Sequence, residues 1–367
     1  MHVHIVDPSA FTPPYDHALS SALARAGAKV ELITSRFGYG DVPEPDGYAV
    51  RELFYRHAIG TAGSRARTVG KLLEHVPDML RYRSIAQRAD VVHFQWLAVQ
   101  AVDRWLLPAR PIVLTSHDLL PREPRPGQSA AQRRLYDAVD ALVVHSGYGR
   151  DLLVERLGVD PAKVRVIHHG AFEHLTVQEQ ERALPDELRA VDSPVVLFFG
   201  LLRPYKGVET LLEAWRGIEG AELWIVGRPR MALEPLRAAA PSGVRFLPRF
   251  VSDAELPAFF RRADTVALPY SRTECLDFSG VLATALAFGK PTIVSDVGAF
   301  GEVAAAGAAR LVPPDDPVAL RTAITGLLED PQAREALASG ALSAAQGPYS
   351  WEASARETLA LYRDLVG

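Results

Sequence analysis

Residues 195–212 read Val-Val-Leu-Phe-Phe-Gly-Leu-Leu-Arg-Pro-Tyr-Lys-Gly-Val-Glu-Thr-Leu-Leu. The first five are apolar on both faces, which suits a parallel strand covered by helices on both sides. Gly200 ends that strand, and a helix starts at about Val208. Strand, short turn and helix in succession form the repeating unit of a doubly wound α/β sheet. The turn carries two fixed cations, Arg203 and Lys206. A helix start beside them presents free N–H groups and the positive end of a dipole, so the place suits a phosphate. The chain has 40 Lys plus Arg, but only five are lysines, and Lys206 is one of them.

The same alternation runs outward in both directions. Strands are expected at 3–6, 30–34, 91–94, 112–115, 142–145 and 164–167. A polar stretch, 173–193, interrupts the pattern, which restarts at 195–199, 222–226, 244–247, 265–268, 292–295 and 310–312. Helices fill the gaps, such as 17–26 before Gly27, a good stop signal. The expected fold is α/β, with two Rossmann-like doubly wound domains, 1–172 and 193–348. Two such sheets facing each other would place a site in the cleft between them. The tail reads as helices 317–328, 331–339 and 351–365, the last carrying Trp351, Leu359, Tyr362 and Leu365.

Bulk properties narrow the function classes. A chain of 367 residues exceeds one ordinary core, and 48% hydrophobic with 23% charged residues is a soluble globular composition. A net charge of −4 gives no basic field for nucleic acid. Cys275 is the only cysteine, so no intrachain disulfide forms. The start alternates Val3 and Ile5 with polar residues before Asp7-Pro8, unlike a signal peptide. A cytoplasmic location is expected.

A second segment has the same character as the first: Leu268-Pro269-Tyr270-Ser271, then Phe278-Ser279-Gly280-Val281, then Ala287-Phe288-Gly289-Lys290-Pro291-Thr292. A helix is expected over 279–288. Ser279 would cap it, and Gly280 would let a ligand approach the backbone. Two anion cradles then lie on one strand-end side.

Together these segments resemble the donor half of GT-B glycosyltransferases, close to family 4. Further matches are Ala89-Asp90-Val91-Val92-His93, His117-Asp118, His145-Ser146, His168-His169-Gly170 and Tyr349-Ser350-Trp351. The resemblance implies that Arg203 and Lys206 neutralise the diphosphate of a nucleotide-sugar, as charge builds on phosphate oxygens when the anomeric bond breaks. It implies that Gly200 and the backbone of Ser279, Gly280 and Val281 hold the same phosphates, and that Arg249, Phe250 and Val251 line the base. It also implies that the last helix, 349–367, crosses back to the first domain. The family often has two glutamates eight positions apart, and those places hold Leu276 and Thr284. Ribose recognition then falls to Thr284, or to Glu274 or Asp277 in a remodelled loop.

The first domain is expected to bind the acceptor. Tyr15, Asp16 and His17 stand where the family commonly has a glycine pair, and Asp16 reads either as a site residue or as a helix N-cap. His117-Asp118 follows a strand, and the resemblance places the matching His near the transferred sugar or the acceptor. His93, Gln95 and Trp96 end another strand and are expected to line the acceptor pocket, with Trp96 equally readable as core. No metal is expected: His2 and His4 share a strand face and His168 and His169 are adjacent, without cysteine or acidic partners at ligand spacing. From Arg56 to Arg88, seven basic residues accompany Leu72, Leu73, Val76, Met79 and Leu80. That stretch reads as a helix packed on the sheet, or as one lying on an anionic membrane.

The resulting expectation is a transferase moving a sugar from a nucleotide-diphosphate sugar, UDP before GDP, to a hydroxyl of a glycan, lipid-linked glycan or natural product. The resemblance implies retention without a metal or other cofactor. Competing readings are an inverting enzyme with His17 or His117 as base, a phosphorylase or epimerase on the same scaffold, and a sugar-nucleotide-binding protein without catalysis.

Overall fold

The computed structural model describes residues 1–61, 63–97, 99–121, 126–177 and 181–367. These form two compact units, Met1–Gly170 with Trp351–Gly367, and Ala171–Ser350.

The first unit holds β1 (His2–Asp7), β2 (Lys29–Ser35), β3 (Ala49–Phe54), β4 (Val91–Phe94), β5 (Ile112–Thr115), β6 (Ala141–Val144) and β7 (Val164–Val166). They make one sheet in the order β3-β2-β1-β4-β5-β6-β7. The second unit holds β8 (Val195–Phe199), β9 (Glu222–Val226), β10 (Val244–Leu247), β11 (Thr265–Leu268), β12 (Thr292–Ser295) and β13 (Arg310–Val312). Their order is β10-β9-β8-β11-β12-β13. All the strand pairs are parallel. In each sheet the order reverses beside the first strand, between β1 and β4 and between β8 and β11. Ligands of open α/β sheets bind outside the carboxyl ends at such a reversal.

The cores follow the strand sequences. Val195, Val196, Leu197 and Phe198 of β8 are fully buried, as are Trp215 and Trp224. In the first unit Val6, Phe94, Val144, Met79 and Tyr82 anchor the core. The C-terminal helix, Trp351–Val366, belongs to this unit. Tyr362 Oη lies 2.6 Å from His93 Nδ1, and Ser354 Oγ donates to the His168 carbonyl at 2.6 Å. The Trp351 ring lies over Gly170, where a Cβ would come within 2.3 Å of it.

Several elements differ from the sequence reading. β3 has no counterpart in it: this edge strand, Ala-Val-Arg-Glu-Leu-Phe, buries only Leu53 and Phe54. The first helix spans Pro13–Arg25, starting four residues earlier than read, because Pro13 and Pro14 fix helical φ in its first turn. Asp16 is therefore inside the first turn and is not the N-cap; Thr12 holds that position. The helix Arg65–Ala86 buries His75, Asp78, Met79, Tyr82 and Ala86. Of the five apolar residues expected to form its inner face, only Met79 is buried, and Leu72, Leu73, Val76 and Leu80 face outward. The helix read as 331–339 runs Pro331–Gln346. The polar stretch 173–193 carries a 3-10 turn, Glu173–Val177, and a short helix, Asp186–Arg189, while its residues 178–180 lie outside those described.

Candidate active site

The residues expected to hold a phosphate gather in the second unit at the β8–β11 reversal. β8 ends at Gly200, in the left-handed region at φ +108°. A Cβ there would lie 3.1 Å from both Lys206 Nζ and Val281 Cγ2, so Gly200 lets the two segments meet. Beside it, Gly227 ends β9, and a Cβ on it would come within 1.8 Å of the Gly200 carbonyl oxygen. The chain then passes Arg203 into a 3-10 turn, Pro204–Lys206, and through Gly207 (φ +68°) into the helix Val208–Trp215. Gly207 packs on the end of β11, where a Cβ would sit 1.8 Å from the Pro269 carbonyl oxygen. Tyr205 O accepts the Ser271 N–H at 2.8 Å, pinning the turn to the strand that follows β8 in the sheet.

Lys206 is buried, 7% exposed. Its Nζ donates to Tyr270 Oη at 2.9 Å and lies 4.9 Å from the centre of that ring. Tyr270 Oη lies 3.0 Å from Ser279 Oγ. Lys206, Tyr270 and Ser279 thus connect the two segments that the sequence singled out. Ser279 occupies the N-cap position of the helix Gly280–Ala287, but its hydroxyl makes no cap hydrogen bond. The expected side-chain cap is corrected: Ser279 is turned to Tyr270. The first helical bond is Ala283 N–H to Ser279 O, so the N–H groups of 280–282 have no partner among the described residues. Arg203 is half-buried, and its buried Nε also has no partner there.

The remaining donor-side residues divide. Thr284 donates to the Gly280 carbonyl at 2.9 Å within its own helix, and Leu276 is core. Asp277 is fully buried, and its carbonyl accepts Ala299 N–H at 2.9 Å. Glu274 is exposed. Arg249, Phe250 and Val251 follow β10, two strands from β8; Arg249 pairs with Glu255 at 2.9 Å. Phe250 is exposed and Val251 buried, and no described contact joins them to Lys206 or Ser279.

In the first unit, Asp7 at the end of β1 accepts the N–H groups of Ser9, Phe11 and Thr12 at 3.1, 2.6 and 3.2 Å. Asp16 faces it from the first helical turn and accepts Thr12 Oγ1 at 3.3 Å. Burial raises both carboxyls, and the Asp7 charge pushes Asp16 higher still, so Asp16 holds the proton that the pair shares. Asp16 is therefore a buried brace of the turn. Trp96 is half-buried, not core: its Nε1 donates to Thr12 Oγ1 at 3.0 Å and its ring stacks on His117 at 5.1 Å.

Tyr15 anchors a cluster of rings. Its centroid lies 4.7 Å from His117, 4.9 Å from His169, 5.4 Å from His145 and 5.0 Å from Trp351. These histidines follow β5, β6 and β7, so consecutive strand ends supply them. Half-buried His117 places Nε2 3.1 Å from Gln95 Oε1. Gln95 Nε2 is a buried donor with no partner among the described residues. Asp118 contributes its carbonyl, which accepts from Ser116 Oγ at 3.3 Å.

Two expected acceptor residues are used within the unit instead. His17 Nδ1 lies 2.6 Å from Tyr48 Oη. His93 is buried with Nδ1 on Tyr362 and Nε2 2.7 Å from Thr115 Oγ1, and burial pulls it down to about 3. It offers no free nitrogen. The sequence reading quoted Tyr270 in its second segment without giving it a role, and singled out none of Gly227, Asp7 and Tyr48. Asp7 and Gly227 had a signal, a polar or small residue closing an apolar strand; Tyr48 had none.

The comparisons bear on the family and the fold. A model of glycosyl transferases group 1 matches residues 193–330, and one of glycosyltransferase family 4 matches residues 15–171. D-inositol 3-phosphate glycosyltransferase of Kineococcus radiotolerans is 30% identical, over 95% of this chain and 89% of its own length. Sucrose-phosphate synthase from Thermosynechococcus elongatus has a TM-score of 0.75 at 22% identity, covering 100% of this chain and 99% of its own. Anabaena Alr3699/HepE, solved with UDP and glucose, has a TM-score of 0.75 at 19% identity, covering 99% and 100%. With both sheets in the Rossmann order and both halves matched, the chain belongs to family 4 of the GT-B glycosyltransferases.

Proposed function

We propose that this glycosyltransferase moves a hexosyl group from a UDP-sugar to a hydroxyl acceptor, with retention of configuration and without a metal. The observation that carries the reading is the convergence of Lys206, Gly200 and the open N–H groups of 280–282 at the β8–β11 reversal. These groups and Arg203 supply fixed positive charge where the leaving diphosphate becomes more negative. Uridine is favoured because a fold neighbour, Anabaena Alr3699/HepE, was solved with UDP. In this reading the leaving phosphate helps to deprotonate the acceptor. The engaged Nδ1 of His17 disfavours that residue as the base of an inverting reaction. A thermal-shift screen should show UDP raising the melting temperature more than GDP, and Lys206→Ala should abolish the difference. Initial rates should survive a chelator, and product NMR should show the donor's anomeric configuration. Donor binding without transfer or hydrolysis would favour the non-catalytic alternative.

The acceptor side points to a hydroxyl-rich molecule held by Gln95, Trp96 and His117, whose orphaned amide donor and stacked ring suit a polyol. One surface favours an acceptor presented by an anionic membrane on the cytoplasmic side. On the helix Arg65–Ala86, Leu73 is 74% exposed and Leu72 57%, beside Val69, Val76 and Leu80 and the cations Arg65, Arg81 and Arg83. An apolar strip flanked by basic residues matches the interface of anionic lipid. No helix of the described residues is long and apolar enough to cross a membrane. The chain should sediment with phosphatidylglycerol vesicles and not with phosphatidylcholine, and Leu72→Asp with Leu73→Asp should release it. Equal recovery of parent and double variant would remove the membrane from the proposal.

A further inference from the structure

The amino ends of β1 and β2, opposite the strand ends described above, carry a second polar cluster. His2 and His4 project from the same face of β1, and His4 is in register with Glu31 on β2. One ligand atom from each of these three residues lies within 4.8 Å of the others. His4 Nε2 and Glu31 Oε2 are 3.5 Å apart, close to the ~3.4 Å between two ligands of a tetrahedral zinc.

Each side chain is also held by its other polar atom. His2 Nδ1 donates to the Arg88 carbonyl at 2.8 Å, which leaves the lone pair on Nε2. His4 Nδ1 lies 3.3 Å from Tyr82 Oη, and its Nε2 is fully buried with no hydrogen bond among the described residues. Glu31 Oε1 accepts Arg51 Nε at 2.6 Å, leaving Oε2 toward His4. Outer partners that fix the tautomer and rotamer of the ligands are the usual surroundings of a bound metal. Two imidazoles and a carboxylate suit a borderline ion such as zinc, with water in a fourth position on the side of half-buried His2.

We propose that His2, His4 and Glu31 bind a divalent transition-metal ion, with zinc as its type, which ties β1 to β2. Two cations stand nearby: Lys29, opposite His2 in register, and Arg51, which is bonded to the other carboxylate oxygen, Oε1. Asp90, which accepts the His2 backbone N–H at 2.7 Å, adds compensating negative charge. The site is separate from Asp16, Trp96 and His117, so the ion acts on stability and not on transfer.

The test uses the full chain, stripped with a chelator and titrated with zinc against a chromophoric competitor. One equivalent should bind and raise the melting temperature by mass action. Cobalt in its place should give the intense visible bands of a four-coordinate ion. Glu31→Gln and His4→Gln should each weaken zinc binding at least tenfold, while the exposed control His57→Gln should not. Glu31→Gln can still accept from Arg51, so it keeps the test open if His4→Gln does not fold. Parental affinity in Glu31→Gln, or a six-coordinate cobalt spectrum, overturns the proposal. Chelation should lower the melting temperature while leaving the initial transfer rate unchanged.

Discussion

Lys206 and Gly207 are adjacent, yet their substitution should fail in different ways. Lys206 lies in a wall of Tyr270, Val281 and Gly200, with its ammonium hydrogen bonded to Tyr270 Oη. A charge-assisted hydrogen bond to a phosphate contributes about 1.5–3 kcal/mol. Lys206→Ala should therefore weaken UDP binding by ten- to a hundredfold in calorimetry, with little change in unliganded folding. Tyr270→Phe should keep the charge and cost less affinity than the loss of the lysine. Gly207→Ala is a folding variant instead. Its Cβ would sit 1.8 Å from the Pro269 carbonyl oxygen, in a backbone conformation that alanine disfavours. It should destabilise the second unit by about 2 kcal/mol or more, read as a lower thermal midpoint. Lys206 and Ser279 stood out in the sequence as candidate residues because each lies in a local strand–turn–helix run. Their link was not legible, because Tyr270 reaches Lys206 only once β11 is placed beside β8.

At the scale of elements, the β-branched runs were easy to read because parallel strands are buried on both faces. The elements that escaped or turned round are those with one exposed face. β3 buries two residues of six, so its sequence resembles a loop. The helix Arg65–Ala86 shows why periodicity has limits: it groups Leu72, Leu73, Val76 and Leu80 without saying which way they face. What decides is the sheet's demand for partners. Asp78 accepts the Tyr55 N–H at 2.8 Å, and His75 bridges Tyr55 Oη and Asp103 at 2.7 and 2.5 Å, so the polar face turns inward. The C-terminal helix is held in a similar way. Tyr362→Phe would leave His93 Nδ1 buried without its partner, at a cost of about 1–3 kcal/mol. Hydrogen exchange should rise in the helix Trp351–Val366 and at the end of β4, and stay unchanged across β8–β13.

Over the whole molecule, the buried histidines make the first unit the acid-sensitive one. Burial pulls His93 and His169 down to about 3 and His145 to about 4, because desolvation penalises the imidazolium. In the unfolded chain each titrates near 6.5. Above that pH both states are neutral, and these residues leave stability independent of pH. Below it the unfolded chain binds protons that the folded unit refuses, so stability falls by about 1.4 kcal/mol per pH unit for each histidine. The Asp7–Asp16 pair acts in the opposite direction. Its raised titration lets the folded state keep a proton that the unfolded chain has lost, which offsets part of that slope. The net for these groups is a loss of stability as the pH falls from about 6.5 toward 4, with the three histidines together setting an upper slope of about 4 kcal/mol per pH unit. The second unit has only His174, pulled to about 4, among its described residues with such a shift. Segment-resolved hydrogen exchange, corrected for intrinsic rates, should therefore show β4–β7 losing protection between pH 6.5 and 5 while β8–β12 keep theirs. Replacing His93 with Gln should reduce the slope. Equal losses in both sheets would mean that the acid response comes from somewhere other than the buried histidines of the first unit.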